Sequence, residues 1–208
     1  MARYTKAKCK LCRREGLKLF LKGDRCVSDK CAIDKGRTKP GEPAKKMRKK
    51  LSGYGIQLRE KQKVKRIYGV QEKQFRKYYE VASKKRGVTG EILLQTLERR
   101  LDNVVFRSSL APSRSASRQL VTHGHIAVNG RRVSVPSFIV KENDEISILE
   151  SSKNIDIVNQ SLQKGATLVP QWLDINLPKM SVKVKQLPGR ADISYDINEQ
   201  LIIELYSK

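Results

Sequence analysis

The chain has 208 residues, with 44 Lys and Arg against 21 Asp and Glu, for a formal net charge of +23. A field of that sign and size suits a polyanion, nucleic acid above all. No apolar run approaches the roughly 18 residues of a membrane span, neither end carries a lipidation motif, and MARYTKAKCK is no apolar leader, so membrane and secreted classes are set aside.

The charge is uneven. Residues 1–50 hold 18 basic and 5 acidic side chains and residues 51–100 hold 13 and 5, so 21 of the 23 excess charges lie in the first hundred residues. The same region holds all 4 cysteines, Cys9, Cys12, Cys26 and Cys31, spaced C-x2-C-x13-C-x4-C. Four thiolates satisfy one tetrahedral Zn²⁺, and a fourth cysteine where a reactive water would sit points to a structural ion rather than a catalytic one. The alternatives are an iron–sulfur cluster, two disulfides, or a reduced site without metal. From Asp34 to Lys50 the chain is rich in Gly, Pro and Lys with almost nothing to bury, so it reads as an extended basic arm or a plain linker.

Helical patterns follow. LREKQKVKRIYG predicts a solvated helix ended by Gly69, and the next helix, stopped at Gly87, spaces Phe75, Tyr78, Tyr79 and Ala82 along one face. Those aromatics are read as core and the cations opposite them as phosphate contacts. Thr89 is placed as the cap of one continuous helix through EILLQTLERRLDNVVF, with Ile92, Leu93, Leu97, Leu101, Val104 and Val105 on its apolar face. A shorter helix, capped by Ser113 or Ser115, should end at Gly124.

Beyond it, HIAVNGRRVSV alternates across Asn129-Gly130, a strong hairpin signal. A second hairpin-like pair is expected around Asn143-Asp144, completing a compact unit of two helices and a small antiparallel sheet over residues 90–150. Arg107, Arg114, Arg118, Arg131 and Arg132 converge there into an exposed cationic face. His123 and His125 lack a nucleophile or further ligands, so a hydrogen-bonding or phosphate-contacting role fits them best. Trp172 is read as a core anchor, with RNA stacking as the alternative. VKVKQLP alternates like an edge strand, and Asp196 leads a closing amphipathic helix whose Leu201, Ile202 and Leu205 need a partner surface, which the helical segment 50–88 could supply.

Taken in order, CKLCRREGLKLFLKGDRCVSDKCAI, YGVQEKQFRKYYEVASKKRGVTGEILLQTLERRLDNVVFR, SRSASRQLVTHGHIAVNGRRV and LPGRADISYDINEQLIIELYSK resemble the bacterial-type small-subunit ribosomal protein four family, uS4, nearly end to end, in its cysteine-knuckle form. The resemblance implies an α+β fold: a zinc knuckle and basic arm at 1–45, a helical rRNA-binding domain at 46–90 completed by the C-terminal helix 196–208, an inserted alpha-L (S4-type) RNA-binding domain with a small antiparallel β-sheet at 91–165, and strands and turns at 166–195 packing back on it. It implies a primary binder of the five-prime domain of small-subunit rRNA that nucleates assembly. It also implies a place beside the path of incoming messenger RNA, contact with small-subunit protein five, an influence on decoding accuracy, and no small-molecule substrate. The residues assigned to RNA are Arg3, Lys8, Arg13, Arg14, Lys22, Lys45, Lys46, Arg48, Lys49, Lys50, Arg76, Arg107, Arg114, Arg118, His123, His125 and Arg131. Arg190 and Glu199 are assigned to protein contact, and Cys9, Cys12, Cys26 and Cys31 to one structural Zn²⁺. Where the family usually has Gly before Asp144, this chain has Asn143, which tolerates a left-handed backbone. The expected compartment is the cytoplasm, with a chloroplast or other organelle open.

Three rivals differ in class. An RNA-modifying enzyme would need a second catalytic domain or a cofactor loop, and no GxGxxG or P-loop pattern is present. A ribosome-associated rescue or stress factor would share the charge and differ in stoichiometry on the subunit. A DNA-binding zinc-finger protein would prefer duplex DNA to folded RNA.

Overall fold

The structure, a computed structural model, describes residues 4–41, 51–163 and 169–207. Two compact units emerge, one of Met1–Gly90 with Tyr195–Lys208 and the other of Glu91–Ser194. Among the described residues no helix is long and apolar enough to cross a membrane.

The first unit is helical. Helix α1 (Cys9–Glu15) stops at Gly16, which takes the left-handed conformation at φ 77°. Helix α2 (Gly53–Tyr68) is capped by Ser52, whose Oγ accepts the Gly55 N–H, and ends at Gly69 at φ 64°. Helix α3 (Glu72–Ser83) buries Phe75, Tyr78 and Ala82 and stops four residues short of the predicted Gly87. The C-terminal helix α8 (Glu199–Tyr206) is capped by Asn198, whose side chain accepts the Leu201 N–H, so it begins later than the predicted Asp196. Helix α8 packs along α2, burying Ile202 within a core that holds Val64, Ile67 and Phe75. Its Tyr206 ring stacks on Tyr79 with centroids 4.6 Å apart.

In the second unit the long helix predicted from Thr89 is two helices. Helix α4 (Thr89–Glu98) and helix α5 (Leu101–Arg107) are separated at Arg100, which is extended at φ −66°, ψ 136°. The break is tertiary: Arg100 bridges Ile139, and the Leu101 and Asp102 N–H groups donate to the Phe138 and Pro136 carbonyls. Apolar periodicity ran through the break because both pieces bury an apolar face, Leu93, Leu94 and Leu97 in α4 and Leu101, Val104 and Val105 in α5. Helix α6 (Arg114–Thr122) is capped by Ser113, whose Oγ accepts the Ala116 N–H.

Among the described residues five antiparallel strands follow, β1 (Ile126–Val128), β2 (Arg131–Arg132), β3 (Glu145–Ile148), β4 (Leu173–Asn176) and β5 (Ser181–Val184), in the order β2-β1-β3-β5-β4. Asn129 (φ 50°) and Gly130 (φ 75°) make the predicted tight turn between β1 and β2. The hairpin expected around Asn143-Asp144 does not form. Asn143 does turn left-handed at φ 64°, but its N–H donates to Val184 and β3 pairs with β1 and β5 instead. Strand β5, the predicted edge, is interior, because β4 covers its other side. Val182, Val184, Ile146, Ile148, Leu101, Val105 and Trp172 share one core with Val158 of helix α7 (Asp156–Gln163). Trp172 is fully buried, which overturns its alternative role as an exposed RNA-stacking ring.

Candidate nucleic-acid interface

The cysteine-bearing arm is built from α1 and two short turns. All four cysteines are free thiols in the structure, with Cys12, Cys26 and Cys31 buried and Cys9 half-buried. Burial pushes the Cys12 thiol up, the Leu19 N–H bonded to it pulls the other way, and Cys26, Cys9 and Cys31 each raise it electrostatically. The four sulfurs therefore share one locality. The Lys22 N–H points at the Cys26 sulfur at 3.4 Å. Four thiolates are the donor type that a structural zinc ion takes. Among the described residues, however, no group of three or more His, Cys, Asp or Glu is drawn together in metal-holding geometry. The fold gathers the donors without closing them into the predicted site.

On the arm, Arg14 and Lys22 are exposed and Lys8 and Arg13 half-buried. Arg13 Nη1 donates to the Thr38 carbonyl at 3.0 Å. Arg3, Lys45, Lys46, Arg48, Lys49 and Lys50 lie outside the described residues. Glu15 is the arm's anchor: it pairs with Arg66 and, at 3.4 Å, with Arg59 of α2. Burial raises its carboxyl while those arginines lower it, and the net direction is up.

The cations of α2 turn inward. Besides Arg59 and Arg66, Lys61 and Lys65 reach Glu72 at 2.8 and 2.6 Å, and Lys63 donates to the Asp196 carbonyl at 2.8 Å. Helix α3 is different, because Lys73, Arg76 and Lys77 are exposed, as are Lys84, Lys85 and Arg86 just past its end. Arg76 pairs with Glu80 at 3.2 Å on an open surface, where such a pair contributes little and exchanges easily. This run is a second described cationic surface of the first unit, beside that of the arm.

In the second unit the expected exposed arginines are a buried network. Glu98 receives Arg107 through two hydrogen bonds of 2.7 and 3.1 Å and the Asn103 amide at 2.5 Å. Arg114 is only 9% exposed, donates from Nε to Asn103 Oδ1 at 2.7 Å, and lies 4.4 Å over the Phe106 ring. Asp102 takes Arg100 at 3.1 and 2.8 Å and Arg118 at 3.1 Å. Arg107, Arg114 and Arg118 thus hold α4, α5 and α6 together, and the picture of them as freely exposed side chains is corrected.

The open cations lie at the hairpin. Arg131 and Arg132 are exposed, with His123 beside them and His125 half-buried. Arg132 Nη2 donates to the His123 carbonyl at 3.2 Å. Gly124 makes room for it, since a Cβ there would fall 2.1 Å from Arg132 Nε at a backbone φ of +76°. His125 Nδ1 lies 2.9 Å from Ser152 Oγ. Arg190 is half-buried and donates to the Ile193 carbonyl at 3.3 Å, while Glu199, also half-buried, opens α8.

Family models place these features in one lineage. Residues 3–98 match the ribosomal protein S4/S9 N-terminal domain and residues 99–146 match the S4 domain. The chain is 57% identical over 208 residues to the small ribosomal subunit protein uS4 of Clostridium tetani (strain Massachusetts / E88), covering all of both chains. The chain belongs to the uS4 family. It is 56% identical over 208 residues to uS4 of Clostridioides difficile (strain 630) and 54% identical over 209 residues to uS4 of Koribacter versatilis (strain Ellin345), again with both chains covered in full. The uS4 family is one of ribosomal proteins and not of enzymes.

Seen as a uS4 chain, the molecule brings His123 and His125 together, their rings 6.1 Å apart, leaves Arg131 at the turn opposite Val128, and withdraws Arg107, Arg114 and Arg118 into packing. Sequence reasoning missed Glu98, Arg100, Asp102 and Asn103. A signal was present: charged and amide residues sit within a run whose neighbours Leu97, Leu101 and Val105 are all core, a position where polar side chains must find partners. It also missed the exposed Lys73 and Lys77 of α3 and the anchoring role of Glu15, an acid that follows Arg13 and Arg14 directly.

Proposed function

We propose that this uS4 chain is a structural constituent of the small ribosomal subunit in the cytoplasm. It binds the five-prime domain of the small-subunit rRNA early and thereby nucleates assembly. The end-to-end likeness to uS4 proteins of other bacteria carries the proposal, and the concentration of charge in the first hundred residues supports it. Lys22 of the arm, Lys73, Arg76 and Lys77 of α3, and Arg131 with His123 at the hairpin are the groups that would meet phosphates. They position RNA helices without reading base edges. The same proposal places the chain beside incoming messenger RNA and against small-subunit protein five, with Arg190 and Glu199 as contact residues, and gives it a part in decoding accuracy.

Binding of the full chain to a five-prime-domain rRNA fragment tests this. If about 6–10 phosphates are neutralised, affinity should fall roughly 10³–10⁵-fold between about 50 and 200 mM monovalent salt. Deleting residues 1–45 should flatten that slope. A salt-insensitive affinity contradicts the proposal.

Cys9, Cys12, Cys26 and Cys31 are proposed to hold one structural Zn²⁺. The ion would supply a cross-link between the turns of the arm, whose small apolar content gives it little other reason to stay folded. Elemental analysis of gently purified protein should return one equivalent of zinc. Iron with sulfide, or no metal in a protein whose arm is fully protected from exchange, would overturn this assignment.

A further inference from the structure

The arm uses the left-handed backbone at Gly16 (φ 77°), Gly23 (φ 59°), Gly36 (φ 58°) and Gly41 (φ 79°), and among its described residues the one side-chain-bearing exception is Phe20 at φ 48°. A bulky L-residue there is strained, and such strain persists only where surrounding structure imposes it. The imposing structure is present. Leu19 and Leu21 on either side are buried at 2% and 8% exposure, whereas Phe20 is 42% exposed. The Leu19 N–H is bonded to the Cys12 sulfur and the Lys22 N–H to the Cys26 sulfur, so the turn is tied to both halves of the cysteine cluster. Packing does not explain the ring, because the strained conformation turns it out of the arm's small core rather than into it.

We infer that Phe20 is a stacking platform for an unpaired RNA base, an inference that rests on the rRNA-binding proposal above and assigns one contact within it. An aromatic face accepts any base, and single-stranded RNA is recognised by such stacking with cations holding the neighbouring phosphates. Those cations stand close in sequence: Lys22 and Arg25 are exposed, and Lys18 is half-buried and held by Asp34 at 2.6 Å. A protein-binding aromatic would instead be expected in a patch depleted of charge.

The test measures binding of the full chain to the five-prime-domain rRNA fragment for the wild type, Phe20→Gly, Phe20→Leu and Phe20→Tyr, together with amide exchange of the arm. Glycine relieves the backbone strain, so exchange protection of the arm should hold or rise while affinity falls about 5- to 150-fold. The salt slope should stay the same, since no phosphate contact is removed. Phe20→Leu should lose affinity like glycine, and Phe20→Tyr should bind within about threefold of wild type, the range left by an intact ring face. Unchanged affinity in Phe20→Gly overturns the inference, leaving a protein partner as the occupant. So does a loss of affinity matched by a loss of arm protection, or an equal loss in Phe20→Tyr. A wild-type protein that does not bind the fragment overturns the rRNA proposal itself and this inference with it.

Discussion

Asp102 holds two guanidinium groups, Arg100 across both carboxylate oxygens and Arg118 at Oδ2, which the two share, inside a region where neither charge reaches water easily. Removing one partner of a buried pair leaves the other uncompensated, which costs far more than the pair gains over apolar residues. Asp102→Ala should therefore destabilise the folded chain by about 3–5 kcal/mol in urea titrations; a loss under about 1 kcal/mol would show that Arg100 finds another partner or stays hydrated. The same logic reverses what an exposed-arginine picture implies for Arg114→Ala with Arg118→Ala, which should now weaken folding as well as any RNA contact. Which arginines are buried was not legible in the chain, because Arg114 and Arg118 alternate with Ser115 and Ser117 as a solvated helix face would. Their acceptors lie on a different helix. Caps and turns were legible because their causes are local: Ser113 precedes its own helix, Gly69 ends one, and Asn129-Gly130 supplies the positive φ its turn requires.

At the scale of elements, Glu72 joins three helices. Burial acts to raise its carboxyl, but hydrogen bonds from Lys61 and Lys65 of α2 and from Tyr206 of α8 outweigh it and hold it at about 2, against an ordinary 4.5. A carboxyl depressed in the folded state stabilises it fully above pH 4.5, and that contribution is lost as pH falls from 4.5 through about 2. The side chain is 45% exposed, so solvent screening keeps the effect modest. Glu72→Gln should lower the melting temperature at neutral pH and flatten its decline between about pH 5 and 2; acid limbs that run parallel in variant and wild type would contradict this role. Existence of α2, α3, α6 and α8 was plain from apolar spacing, whereas α1 and α7, the break at Arg100 and the interior position of β5 were not. The last two are decided by chain far away in sequence, Pro136 to Ile139 in one case and β4 in the other, and periodicity carries no information about such partners.

On the scale of the whole molecule, charge is sorted by what the fold does with it. Three acids of the first hundred residues serve as anchors: Glu15 holds the arm to α2, Glu72 joins α2 to α3 and α8, and Glu98 binds Arg107. That leaves Lys73, Lys77, Lys84, Lys85 and Arg86 exposed around α3, a surface whose self-repulsion is relieved when a polyanion binds. A resident ribosomal protein and a factor that visits the ribosome can share this surface, but they differ in occupancy. The most direct measurement is the copy number of this chain, by quantitative mass spectrometry, in small ribosomal subunits purified from its own cells and washed at high salt. A resident constituent predicts one copy per subunit after the wash. Absence from mature subunits, or a small fraction that the wash removes, would contradict the account.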